Sequence, residues 1–269
     1  MQLVSTRVGE VAVDVRGSGP PLVLLHSIGH DRHDWDAVRT TLAAHHRTVA
    51  VDWPGHGDSP MWREPRSASA GALVDALEDV VVALGLERAI FMGNSVGGTA
   101  SVGLALRRPE RVRALVLVDT GGFTGTSALV RAFCWLQGRE LVRRFTGLAF
   151  ARNYLKVRGP AVDGVLERLA EARTRPGFIE MDAAMWRSFG TGATDFSGKV
   201  GGLACPTLVV WGKHDPVLRA RVEGHRVRSE LPHAAWVELD TGHAPFVERP
   251  NAFLAEVVPF LGGLPAEAR

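Results

Sequence analysis

Three residues of this chain have the type and the surroundings for nucleophilic catalysis: Ser95, Asp215 and His243. Ser95 is the centre of Gly93-Asn94-Ser95-Val96-Gly97, and Gly98 follows. The apolar run Ala89-Ile90-Phe91-Met92 precedes it, and helix-compatible sequence comes after. A strand that turns sharply into a helix lifts a serine hydroxyl to the sheet's carboxyl edge, and the turn demands small neighbours. The helix then aims its N-terminal N–H groups and positive dipole end at developing negative charge. In a chain with 30 glycines the pattern alone can arise by chance, so its context carries the weight. Asp215 sits at the tip of a loop after Val209-Val210-Trp211-Gly212. His243 follows Asp240-Thr241-Gly242. A histidine so placed takes the serine proton, and an aspartate holds the imidazole in the right tautomer and stabilises its cation. Asp240, at a strand end, reads as a turn or cap residue. His45, His46, His225 and His233 lack such context and are expected at the surface.

Short buried strands must carry these residues. Leu22 to Leu25, Arg47 to Val51, Ala89 to Met92, Val112 to Val118 and Pro206 to Trp211 are continuous apolar runs, as in strands covered on both faces. Val11 to Arg16 alternates like a half-exposed strand, and Ala234 to Leu239 is a further candidate. Helix-period spacing marks Asp34 to Ala44, Ala68 to Leu84, Val96 to Arg107, Leu218 to Ser229 and Phe246 to Leu261. The alternation predicts an α/β fold, a mostly parallel sheet with helices on both faces. It stops between Gly122 and about Asp195, a stretch rich in Phe, Trp and Met without a clear buried strand. The expected organisation is a core of residues 1–121 and 196–269 with a helical cap inserted at 122–195. Some cap aromatics must pack inward, and Trp135 and Trp186 are candidates for facing substrate.

Composition excludes several classes. The formal charge is +2, from 31 basic and 29 acidic residues, which gives no global pull toward nucleic acid or an anionic membrane. The two cysteines, Cys134 and Cys205, belong to no CxxC or Cys/His cluster, so neither a disulfide framework nor a zinc site is expected. No apolar stretch approaches the roughly 20 residues that span a bilayer, and Met1 to Glu10 lacks signal-peptide character. The chain reads as cytoplasmic, with no metal and no organic cofactor.

With these motifs in place the chain resembles the α/β-hydrolase superfamily over nearly its whole length. Leu24-Leu25-His26-Ser27-Ile28-Gly29 resembles the family's His-Gly-x-Gly loop, Asp52 to Ser59 its D-x-P-G-x-G-x-S segment, and Gly242 to Pro250 its histidine loop. The resemblance implies an α/β-hydrolase fold and an oxyanion hole made by the backbone N–H groups of Val96 and Ile28. The Asp52–Ser59 segment, His56 included, reads as structural. Ser27 stands where the family usually has glycine and resembles the Ser-x-Gly of enol-lactone hydrolases. It either is a tolerated substitution or adds a donor beside substrate.

The expected activity is hydrolysis of an ester, lactone or thioester through an acyl-enzyme, on a largely apolar substrate. Gly-Asn-Ser-x-Gly-Gly also resembles the elbow of C–C bond hydrolases. Those usually carry Trp after the catalytic histidine, where this chain has Ala244. A repurposed fold performing a lyase or cyclase step in bacterial small-molecule metabolism is the remaining alternative. Arg131, Arg139, Arg143, Arg144, Arg152, Lys156 and Arg158 crowd the insertion. They read either as a solvated face or as a basic lid that docks an acidic carrier protein or steers an anionic acyl substrate.

Overall fold

The computed structural model describes residues 1–125 and 127–265. Eight strands form one sheet: β1 (Gln2–Thr6), β2 (Gly9–Arg16), β3 (Pro21–Leu25), β4 (Arg47–Asp52), β5 (Ala89–Asn94), β6 (Val112–Val118), β7 (Thr207–Gly212) and β8 (Ala235–Leu239). Their order is β1-β2-β4-β3-β5-β6-β7-β8. β2 runs antiparallel to both β1 and β4, and the other pairs are parallel. The apolar runs of β3, β5, β6 and β7 are buried because helices cover both faces of the sheet.

On the core flanks lie α1 (Asp36–Ala43), α2 (Ala70–Ala83) and α3 (Val96–Arg107). Between β6 and β7 no strand occurs among the described residues. That stretch forms α4 (Ala128–Gln137), α5 (Glu140–Tyr154), α6 (Pro160–Ala172) and α7 (Phe178–Phe189). After β7 come α8 (His225–Glu230), α9 (Pro245–Glu248) and α10 (Pro250–Gly262). Among the described residues no helix is long and apolar enough to cross a membrane.

Three local expectations are corrected, and one strand, β1, lies outside them. β1 is an edge strand with Val4 as its single buried residue, too sparse a pattern to read. β2 does not alternate: Val11, Ala12 and Val13 are all buried, so both faces of the strand are covered there. The stretch Phe246 to Leu261 is two helices, since Pro250 drives Arg249 out of the helical region, to φ −141°. The stretch Leu218 to Ser229 becomes helical only from Ala220, first as a π turn, because Asp215 draws the Val217 and Leu218 N–H groups into its own loop.

The chain leaves β3 toward β4 on one side and returns to β5 on the other. The carboxyl ends of β3 and β5 thus flank a topological switch point, where open α/β sheets leave a crevice for ligands.

Candidate active site

Five strand ends converge on this crevice. Ile28 follows β3, Ser95 follows β5, Asp119 follows β6, Asp215 follows β7 and His243 follows β8. Ser95 has φ 54° and ψ −111°, a conformation that costs a non-glycine residue about 1–3 kcal/mol. The Ser95 N–H donates to Val118 O at 3.0 Å, which fixes the turn to β6. Glycines make the turn physically admissible. A Cβ on Gly93 would lie 2.4 Å from the Gly97 carbonyl, and one on Gly97 would lie 2.3 Å from Leu25 O.

His243 Nδ1 and Asp215 Oδ2 are 2.6 Å apart, and both side chains are buried. Asp215 Oδ1 accepts from Val217 N at 2.8 Å and Leu218 N at 3.1 Å, so the carboxylate is held from both ends. With Nδ1 donating, Nε2 of His243 is left free to accept a proton. Ser95 and His243 line the same cavity. Among the described residues no hydrogen bond joins them, a contact commonly loose before substrate binds. The N–H groups of Ile28 and Val96 have no acceptor among the described residues, and both residues line the cavity.

Two buried histidines brace the Ile28 loop. His26 Nδ1 donates to Ser27 O at 2.6 Å, and its Nε2 accepts from Trp53 N at 3.0 Å. His56 Nε2 accepts from Gly29 N at 3.0 Å, and its Nδ1 donates to Pro54 O at 3.1 Å. Burial lowers both pKa values, that of His56 well below the ordinary histidine range. Both rings are neutral struts, as the reading of His56 as structural requires. Asp52 in the same segment accepts from Arg32 N at 2.7 Å and Asp58 N at 3.0 Å.

Three supporting residues escaped the sequence reading. Asn94 Nδ2 donates to Val118 O at 3.1 Å and to His243 O at 2.9 Å, tying the serine turn to the histidine loop. Glu248 accepts from four backbone N–H groups, those of Lys156, Val157, Gly242 and Ala244, at 2.8–3.1 Å. It pins the histidine loop to the end of α5. Asp119, at φ 40°, accepts from Gly212 N at 2.9 Å through Oδ1, while its buried Oδ2 has no partner. Asn94 and Glu248 lie inside the elbow and histidine-loop motifs, but their contacts to His243 and to Lys156 and Val157, like that of Asp119 to Gly212, join segments distant in sequence.

Asp119, Asp215 and His243 are the one His/Cys/Asp/Glu cluster of metal-binding density among the described residues, with ligand atoms within 4.8 Å of one another. Its atoms are committed elsewhere: Asp215 to His243 and two N–H groups, Asp119 Oδ1 to Gly212 N. Burial first, then the Asp215 charge, push the Asp119 carboxyl well above the usual range. The folded chain therefore holds this proton more tightly than the unfolded chain does. From about pH 4 upward the folded chain holds the extra proton, so this group makes stability fall as pH rises toward its folded pKa. Asp119→Asn mimics the protonated acid and removes that dependence. The melting-temperature difference between variant and wild type should move in the variant's favour from pH 5 to pH 9. A difference constant with pH would contradict a raised Asp119 pKa.

The cavity has a volume of about 360 Å³. Trp186 forms part of its wall, with Phe133, Phe150 and Phe189 edge-on at ring distances of 5.7, 5.4 and 5.7 Å. Tyr154 meets the His243 ring at 5.3 Å, and its hydroxyl bonds His30 Nε2 at 2.8 Å. Cys134 also lines the cavity. Burial pushes its thiol up to about 11, so it serves as apolar wall. Ser27 and Trp186 face the cavity. Trp135 does not. It is 60% exposed under the Arg139 guanidinium, turned about 100° around α4 from Cys134. The basic stretch also divides: Arg143 is buried, whereas Arg131, Arg139, Arg144, Arg152, Lys156 and Arg158 are exposed.

Comparison with known proteins places this geometry in context. Residues 22–257 match the model of the alpha/beta hydrolase family. A pimeloyl-[acyl-carrier protein] methyl ester esterase of Nitrosospira multiformis is 30% identical, over 94% of this chain and 99% of its own. A 2-hydroxymuconate semialdehyde hydrolase of a Pseudomonas species is also 30% identical, over 94% of this chain and 90% of its own. The crystal structure of the enol-lactonase from Burkholderia xenovorans superposes with a TM-score of 0.80 at 25% identity, over 97% of this chain and all of that one.

Proposed function

The chain belongs to the alpha/beta hydrolase family, and from that premise we propose that it is a serine hydrolase of carboxylic esters, lactones or thioesters. Ser95 Oγ attacks the carbonyl carbon and passes its proton to His243 Nε2. The N–H groups of Ile28 and Val96 hold the oxyanion, each worth about 3 kcal/mol where such donors have been removed. His243 then protonates the departing alcohol, thiol or enol, which leaves an acyl group on Ser95. Water, deprotonated by the same imidazole, releases the acid. Residues 122–195 act as a cap whose aromatic side chains receive the apolar part of the substrate. Ser27 and Trp186 contact it there.

The observation that carries this reading is the bonded His243–Asp215 pair opening on the same apolar cavity as a strained Ser95. The test is a series of 4-nitrophenyl esters of increasing acyl length. A cavity of about 360 Å³ should favour short and medium acyl groups, with kcat/KM falling steeply beyond the length that fills it. Absence of turnover across the series would contradict the reading.

One observation favours a second activity, C–C bond cleavage: the Gly-Asn-Ser-x-Gly-Gly elbow together with the 2-hydroxymuconate semialdehyde hydrolase relative. Ala244 after the histidine stands against it. Cleavage of a vinylogous diketone without ester turnover would favour it, and neither activity would point to a lyase or cyclase step.

The exposed arginines of α4 and α5 support docking of an acidic carrier protein, beside the exposed apolar Leu129, Phe133, Leu136 and Phe145. Because Arg143 is buried, the charge-reversal test belongs at Arg139 and Arg144. Arg139→Glu with Arg144→Glu should raise KM for a carrier-bound ester about tenfold and spare a nitrophenyl ester. Equal effects on both would remove the docking role. On this reading the protein acts in the cytoplasm without metal or organic cofactor.

A further inference from the structure

One cavity wall carries a charge that the hydrolytic reaction does not use. Arg143 on α5 is 6% exposed and lines the cavity next to Phe150 and Trp186, whose ring centres lie 5.5 and 5.4 Å from its guanidinium carbon. Its Nε donates to Asp182 Oδ2 at 2.8 Å, and its Nη1 donates to Gln137 Oε1 at 2.9 Å. Nη2 has no acceptor among the described residues, yet it is not one of the sealed, unpartnered atoms. It keeps contact with open space, and the cavity is the open space this residue lines.

The local charge does not balance. Arg173 Nη1 stands 4.0 Å from the same Asp182 carboxylate, so two guanidinium groups share one acid and the buried cluster has a formal charge of +1. Arg173 Nη2 is spent on the carbonyls of Arg143 and Arg144, and its buried Nη1 has no hydrogen-bond partner. Burial draws the Arg173 pKa down, and the Arg143 charge adds to that. The two acids that line the cavity, Asp195 and Glu223, accept from Ser197 N and Arg219 N within their own loops. A buried excess cation with an open donor is complementary to an anion that enters with the ligand.

We propose that Arg143 determines specificity by receiving a carboxylate at the far end of the substrate's acyl part, so that the preferred substrates are esters or thioesters of ω-carboxylated acyl groups. This rests on the acyl-enzyme reading above. Arg143 and Tyr154 share a cavity-facing side of α5 eleven residues apart, about 16 Å along the axis. Tyr154 touches His243. The carboxylate is therefore several carbons from the scissile carbonyl, and the aromatic side chains between them hold an apolar spacer.

The experiment compares mono-4-nitrophenyl esters of dicarboxylic acids, from succinate to sebacate, with 4-nitrophenyl alkanoates of equal chain length. Wild type should prefer the ω-carboxylated ester by about 10- to 100-fold in kcat/KM at one chain length, the scale of one charge-assisted hydrogen bond. Arg143→Met combined with Asp182→Asn leaves no new unpaired carboxylate and should bring the ratio to about one, chiefly through KM. Arg143→Lys should retain part of the preference. Wild type that favours neutral esters at every length, while turning them over through Ser95, overturns the inference and leaves the acyl-enzyme reading standing. A preference that survives the double variant removes Arg143 from the role. Turnover of both series that persists in Ser95→Ala overturns the underlying reading, and the inference with it.

Discussion

Ser95→Ala should lower kcat on a 4-nitrophenyl ester by about 10⁴- to 10⁶-fold while the fold survives. The substitution removes the attacking oxygen and nothing else of weight. Among the described residues no hydrogen bond involves Ser95 Oγ, so no fold contact is lost. Alanine meets the same steric cost as serine at φ 54°, so the turn has no new reason to relax. The Ile28 and Val96 N–H groups keep their places and still polarise a bound carbonyl, which is why some residual rate is expected. Steady-state kinetics beside a thermal melt separate the two effects. A variant that melts like wild type and keeps more than a hundredth of its rate would remove Ser95 from the chemistry.

Asp215→Asn should cost about 10⁴-fold in kcat, again with little loss of stability. The amide oxygen can go on accepting from Val217 N and Leu218 N, so the loop keeps its shape. The amide nitrogen then faces His243 Nδ1, where the carboxylate oxygen stood at 2.6 Å. Two donors cannot bond. The imidazole must place its proton on Nε2, the atom that has to accept from Ser95, and its cation loses the charge that stabilised it. The variant should stay low at every pH at which the wild type turns the ester over. A loss under tenfold at pH 7 would mean that another group orients His243.

The residues proposed for chemistry were legible because each lies in a contiguous signal. Ser95 stands between glycines at a strand–helix junction, and Asp215 and His243 each follow an apolar run. The sheet was legible for the same reason: strands buried on both faces read as unbroken apolar runs. Legibility ended where a role depends on the partner. Asp119 looks like any loop polar residue, and although Asn94 and Glu248 lie inside the elbow and histidine-loop motifs, what each of the three holds shows only when β6, β7 and the histidine loop are brought together. On α4, Cys134 and Trp135 are neighbours in an apolar stretch, yet successive helix residues point about 100° apart. Periodicity fixes that separation but not which residue faces the cavity. Arg143 sits in a basic run, and only the fold brings Asp182, 39 residues away, against it. The break between α9 and α10 was legible in principle, since Pro250 follows Arg249.

The central claim is a covalent acyl group on Ser95, and intact-mass spectrometry of the protein rapidly quenched in acid after mixing with a 4-nitrophenyl ester tests it most directly. The account predicts a mass increase equal to the acyl group, mapped by proteolysis to the peptide that holds Ser95. It also predicts loss of that adduct in Ser95→Ala and its accumulation when His243→Ala slows deacylation more than acylation of this activated ester. Turnover of the ester by wild type with no adduct at the earliest quench, and none in the slowed variant, would contradict nucleophilic catalysis by Ser95.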